Sequence, residues 1–355
     1  EPPPGEGAAC ASSFDFPAFA FVRQDIKDEG KKFETTRYTV YLANANGNCT
    51  IPLYSSLEEQ IWNISYVQSG TTGRIIWHQN GDVNAGRKEC QSCPVIKGLS
   101  FEILDQAIVT DLPLSSSIIY KHDNGANVGI MSVVLNADQS RVYFSLDETD
   151  GQGGWDDTIN DIDLNACNEL CPRNVIATYK NSGMIGLSLN SSEDRLYFSR
   201  QDTNFTPELS AASFIENQGG VWTYVRDIVT NRDPGFEDFK PIATASTDWD
   251  YDGDGVQTEV IAYGIEDFGT YDIFDASTCL AGLAENSCLG NSEATAIRIG
   301  ESGWDPKFSN HPSTPTDTPP NLVVWQSPYE QIEIDTDSGT AITTLVDAYD
   351  FDSAD

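Results

Sequence analysis

The segment Ser132-Val-Val-Leu-Asn-Ala-Asp-Gln-Ser-Arg-Val-Tyr-Phe-Ser145 returns in altered form as Gly186-Leu-Ser-Leu-Asn-Ser-Ser-Glu-Asp-Arg-Leu-Tyr-Phe-Ser199. Each copy has a short apolar run, a polar turn, then Arg and a second run carrying Tyr-Phe. Apolar runs split by a tight polar turn are the pattern of an antiparallel hairpin. Looser copies lie on either side. Ile64 to Val67 and Arg74 to Trp77 flank one turn, and Ile242 to Ala245 and Glu259 to Ala262 flank another. Trp304 to Phe308 and Asn321 to Trp325 flank a Pro/Thr-rich loop, and Pro17 to Val22 precedes Thr36 to Ala43 near the start.

Taking one position in the second strand of each unit gives Phe19, Ile75, Val142, Leu196, Val260 and Leu322. These lie about 54 to 67 residues apart, a period long enough for one small sheet per repeat. No segment carries a long 3.6-residue period. A chain of small sheets repeated in this way predicts an all-β fold, a six-bladed β-propeller of irregular blades of about 60 residues. The ring is expected to close by joining the strand near Phe19 to strands from about Gln331 to Val346. Residues 1–13 read as an N-terminal linker and 14–355 as a single propeller domain.

The 355 residues carry 55 Asp and Glu against 20 Lys and Arg, a formal charge of −35. That charge argues against nucleic acid or an anionic membrane surface as partner, since either would need a basic patch. No apolar stretch approaches the roughly 20 residues of a membrane span. The opening EPPPGEG, without Met, reads as a linker or as a terminus left by removal of a signal peptide. Eight Cys in short local pairs point to disulfides and an oxidising compartment, periplasmic or extracellular. The expected pairs are Cys90–Cys93, Cys167–Cys171 and Cys279–Cys288, leaving Cys10–Cys49. The rival reading, a zinc site on the CxxC of Cys90 and Cys93, would need a second ligand pair with better spacing than Cys167 and Cys171 offer.

The sharpest chemical signal is Asp248-Trp-Asp250-Tyr-Asp252-Gly-Asp254-Gly-Val-Gln-Thr-Glu259. Ca²⁺ takes six to eight hard oxygen ligands, and alternate Asp residues on a tight turn can aim several carboxylates at one centre. Counted from Asp248, acids stand at 1, 3 and 5, Gly at 6 and Glu at 12, as in an EF-hand loop. Both flanks read as strands rather than helices, so the loop is expected inside a hairpin. The candidate ligands are Asp248, Asp250, Asp252, Asp254 and Glu259, with two registers open. The bland alternative is a solvated turn, for which Asp and Gly are simply good formers. A second acidic run, Asp147, Asp150, Asp156, Asp157, Asp161 and Asp163, is irregularly spaced and reads as a solvated loop rather than a weaker cation site.

Catalytic patterns are sparse. The three His (His78, His122 and His311) show no HxH or HxxxH spacing, and no GxSxG elbow occurs. Paired carboxylates for glycoside cleavage cannot be picked from 55 acids.

Leu135-Asn-Ala-Asp-Gln-Ser-Arg-Val-Tyr-Phe144 and Tyr38-Thr-Val-Tyr-Leu-Ala-Asn-Ala-Asn-Gly47 resemble the strand–turn–strand motif of TolB-like propellers. The Asp-rich hairpin resembles the calcium loops of integrin-type FG-GAP blades and of type IV pilus tip adhesins. TolB-like propellers mostly serve as interaction platforms, and some cap peptidases. The resemblance implies a secreted or periplasmic, Ca²⁺-binding propeller acting as an interaction or extracellular assembly module, with a protein or glycan partner at or outside the cell surface. The alternative is a propeller-fold hydrolase or lyase acting on polysaccharide.

Overall fold

A computed structural model describes residues 17–27, 35–44, 50–57, 59–69, 71–80, 93–104, 107–108, 116–122, 128–149, 155–167, 169–202, 209–231, 241–249, 258–265, 270–275, 297–300, 304–309, 321–326, 331–335, 342–345 and 348–353. The first sheet holds β1 (Pro17–Lys27), β2 (Thr35–Asn44) and β3 (Thr50–Leu57). The second holds β4 (Ile61–Ser69), β5 (Thr72–Asn80) and β6 (Pro94–Leu104), with β7 (Ala107–Ile108) and β8 (Ser117–Lys121) both pairing with β6. The third holds β9 (Val128–Leu135), β10 (Arg141–Thr149), β11 (Trp155–Asp163) and β12 (Asn174–Lys180). The fourth holds β13 (Ser182–Leu189), β14 (Arg195–Asp202), β15 (Leu209–Gln218) and β16 (Val221–Thr230). The fifth holds β17 (Pro241–Trp249), β18 (Thr258–Ile265), β19 (Thr270–Asp275) and β20 (Ile297–Gly300). The sixth holds β21 (Trp304–Ser309), β22 (Asn321–Gln326), β23 (Gln331–Asp335) and β24 (Ile342–Leu345). The last strand, β25 (Ala348–Ser353), pairs antiparallel with β1, so the first sheet runs β25-β1-β2-β3.

Each of the six repeat positions falls on the second strand of its sheet, Phe19 included once β25 is counted as that sheet's edge. The closing strand differs from expectation. Residues 331–335 and 342–345 complete the sixth sheet, and the return to β1 is made by 348–353. Ala348-Tyr-Asp-Phe-Asp-Ser353 alternates aromatic with acidic residues, so its strand period is hidden behind charge.

The two quoted segments owe their shape to one repeated piece of turn chemistry. In each, Asn opens the turn and its Oδ1 accepts backbone N–H groups across it. Asn136 Oδ1 takes Arg141 N at 2.6 Å, and Asn190 Oδ1 takes Arg195 N at 2.9 Å. The Asn136 N–H donates to Arg141 O and that of Asn190 to Arg195 O, both at 3.1 Å. The fourth turn residue takes a positive φ, 61° at Gln139 and 56° at Glu193. That region is sparsely populated by side-chain-bearing residues, and the closing hydrogen bonds hold it there. The same residues reach sideways. Glu193 accepts Ala137 N (2.7 Å) and Asn136 Nδ2 (3.0 Å), while Gln139 Nε2 donates to Thr72 O (3.0 Å). Each turn is thus fastened to the hairpin of the preceding sheet.

Alternate residues on these strands are buried on opposite faces, as the period of two requires. Val142 and Phe144 pack with Ile76, Ile96 and Ile119 of the second sheet. Tyr143, between them, packs with Met184, Leu196 and Phe198 of the fourth. Ala20, Val40 and Leu42 of the first sheet likewise meet Ile75, Trp77 and Phe101 of the second. Serine hydroxyls link the first strands of neighbouring sheets. Leu135 N donates to Ser65 Oγ (3.1 Å), Leu187 N to Ser132 Oγ (3.0 Å), and Ser246 Oγ donates to Leu189 O (2.7 Å). The first strands lie beside one another in the order β25, β4, β9, β13, β17, β21, and β21 lies beside β25. Small antiparallel sheets packed face to face in series, with no helix among the described residues, form an all-β architecture that fits a β-propeller.

Candidate functional site

The β17–β18 hairpin carries the acidic motif. The antiparallel register sets Asp248 directly opposite Glu259 and Trp249 opposite Thr258. The first and twelfth positions of the motif therefore meet at the mouth of the turn. Asp248 is exposed. Glu259 is not an open ligand: Arg195 Nη1 donates to its Oε2 and the Tyr197 hydroxyl to its Oε1, each at 2.5 Å. Both donors sit on β14, so this carboxylate fastens the fifth sheet to the fourth. Burial first, and then the Glu259 charge, push the Tyr197 hydroxyl far above its ordinary pKa. Asp250, Asp252 and Asp254 lie outside the described residues. Sequence reasoning placed Glu259 in the motif but missed Arg195 and Tyr197, which stand 64 and 62 residues earlier.

A second polar group lies on the third sheet. His122, just after β8, meets Glu148 of β10 through Nε2 and Oε1 at 2.8 Å. Arg173, just before β12, donates from Nη2 to both Glu148 oxygens at 3.1 and 3.2 Å. Burial would raise the Glu148 pKa, but the Arg173 and His122 hydrogen bonds outweigh it and hold the carboxyl below its usual range. An imidazole oriented by a carboxylate is the basic unit of general-base chemistry.

On the opposite face of the same strand, Asp147 is the cross-strand partner of Asp157 on β11. Asp157 is fully buried, and its Oδ2 accepts Met184 N of β13 at 2.5 Å. This corrects the expectation of a solvated loop: Asp156, Asp157, Asp161 and Asp163 form part of a strand, and Asp157 and Asp161 are buried.

Cys167 and Cys171 form the expected disulfide, with Cα atoms 5.5 Å apart. Cys93 is buried and also disulfide-bonded, which removes the zinc reading of its CxxC. Cys10, Cys49, Cys90, Cys279 and Cys288 lie outside the described residues. Among the described residues no group of three or more His, Cys, Asp or Glu gathers with metal-binding geometry, and no helix is long and apolar enough to cross a membrane.

No family model and no curated protein matches the chain. Among solved structures it is similar to puromycin hydrolase, at 10% identity and a TM-score of 0.47, covering 90% of this chain and 46% of that one. It is also similar to Trypanosoma rangeli sialidase in complex with sialic acid, at 10% identity and a TM-score of 0.45, covering 94% and 51%. Prolyl oligopeptidase B from Galerina marginata gives 10% identity and a TM-score of 0.47, covering 93% and 41%. The chain spans about half the length of these proteins or less.

Proposed function

We propose that the chain is a six-bladed β-propeller, of the TolB-like kind, that serves as a Ca²⁺-stabilised interaction module for a protein or glycan partner. Three features support the ring: six sheets, the cyclic order of their first strands, and the pairing of β25 with β1. The observation that carries the calcium reading is the register Asp248 opposite Glu259. It brings both ends of the acidic segment to one point, and Asp250, Asp252 and Asp254 lie between those ends in sequence. Asp248, Asp250, Asp252 and Asp254 supply the ligand carboxylates, and Glu259 fixes one arm of the hairpin through Arg195 and Tyr197. The disulfides at Cys93 and Cys167–Cys171 support an oxidising compartment, periplasmic or extracellular. Chelation and the substitution Asp252→Ala should lower the melting temperature alike. Unchanged melting in chelator would leave the loop an acidic turn.

The alternative, a propeller hydrolase or lyase acting on polysaccharide, draws on the His122–Glu148–Arg173 group, where a base and its orienting carboxylate are partly open to solvent. Its test is release of new chain ends from a panel of acidic and neutral polysaccharides. Turnover that His122→Asn abolishes would favour it over a binding role.

A further inference from the structure

The carboxylate pair on the third sheet, Asp157 buried and Asp147 half-buried, points to a device that neither reading uses. Asp147 and Asp157 stand directly opposite one another across β10 and β11. Each keeps one enclosed oxygen, Oδ1, that no N–H or O–H donor reaches. Two ionised carboxylates facing each other without donors repel, and burial deprives them of the water that would screen it. A proton held between them satisfies both oxygens at once. The remaining Asp157 oxygen, Oδ2, takes the Met184 N–H of β13, the first strand of the fourth sheet. We propose that Asp147 and Asp157 share one proton and latch the third sheet to the fourth, so that this junction tightens in acid and loosens in alkali.

The surroundings favour a pair that holds one proton over one that is doubly ionised. On β9 the residue opposite Asp147 is Gly129, which brings no charge. On β12 the residue opposite Asp157 is Tyr179, with Lys180 opposite Asp156. From β13 come Ser182, also buried, and Met184. On β14 the Arg200 guanidinium lies 5.8 Å from the Tyr179 ring centre but is committed to Asp227 at 3.0 Å. Arg173 and His122 are committed to Glu148. Asp156 adds further negative charge. Burial, then the Asp147 charge, push the Asp157 carboxyl up to about 8, and burial raises Asp147 as well. The sign follows: a folded-state value above the unfolded value of about 3.9 contributes stability at low pH that is lost as pH rises towards about 8.

The test is infrared spectroscopy joined to amide exchange, on the wild type, Asp157→Asn and Asp147→Asn. Asn keeps the shape and can bridge its neighbour without a shared proton. The wild type should show a protonated-carboxyl band at about pH 7, where an ordinary Asp is ionised, and each variant should lose it. Exchange at the Met184 amide, taken as a ratio to that of Leu187 on the same strand, should accelerate in the wild type above about pH 8 and stay level in Asp157→Asn. If Asp157→Asn does not fold, Asp147→Asn and the wild-type band carry the test. Absence of the band at neutral pH, or the same exchange ratio in wild type and variant across the range, would overturn the proposal.

Discussion

The β9–β10 and β17–β18 hairpins hold the same place in their sheets and turn the chain by different means. The first closes on five residues, with Asn136 binding both sides of its own turn and Gln139 fastening it to the second sheet. The β13–β14 hairpin repeats this with Asn190 and Glu193. The fifth sheet has no such Asn. The sequence between β17 and β18 is longer and acidic, and the hairpin is tied to its neighbour by Glu259 on Arg195 and Tyr197 instead. A short turn can satisfy itself with neutral hydrogen bonds. A turn carrying several carboxylates needs a counter-charge, from a neighbouring sheet or from a cation.

The largest expected effect comes from the tie. Glu259→Ala leaves a half-buried guanidinium and a buried hydroxyl without their acceptor, and should cost about 3 kcal/mol in urea unfolding. Glu259→Gln should cost less, and if Glu259 only anchors the hairpin, it should leave calcium affinity nearly intact. Removing calcium comes next. At about 100 times the dissociation constant the ion contributes about 2.7 kcal/mol, so chelation should lower melting by that measure in the wild type and not in Asp252→Ala. Asn190→Ala and Asn136→Ala should each cost about 1 kcal/mol by chemical denaturation, with no response to chelator. The smallest effect is in pH. Hydrogen bonds within the turn hold Asp138 below the usual carboxylate range, and at Asp194 burial would raise the value but hydrogen bonds from Asn190 and Ser192 outweigh it. A depressed folded value gives stability that is present at neutral pH and lost as pH falls below about 4, the reverse of the Asp157 case. Amide exchange at Arg141 and Arg195 should therefore quicken in acid, while Met184 is protected there.

Much of the fold was legible because the repeat marks one strand per sheet: all six positions from Phe19 to Leu322 fall in equivalent strands. Charge obscured the rest. Trp155-Asp-Asp-Thr-Ile-Asn-Asp-Ile-Asp163 is rich in a poor strand former that favours turns, yet Ile159 and Ile162 bury on opposite faces and draw the segment into a sheet. The strand Ala348–Ser353, which pairs with β1, was hidden the same way. Of the site, the strand-like flanks of the acidic segment gave a hairpin, which the β17–β18 pairing bears out. What they could not give was the partner of Glu259, because β14 meets the fifth sheet only through the packing of two separate sheets. Asn190 makes the same point: it heads an Asn-Ser-Ser triplet open to glycosylation on paper, but its side chain is enclosed in the turn it closes.

Calorimetric titration of Ca²⁺ into the chelator-stripped chain tests most directly whether the acidic segment between β17 and β18 holds a cation. The predicted result is saturable binding of one ion per chain, retained in Glu259→Gln and abolished in Asp252→Ala, with Mg²⁺ a poor substitute because it demands a tighter octahedral shell. No heat of binding in the wild type, or equal binding in wild type and Asp252→Ala, would contradict it.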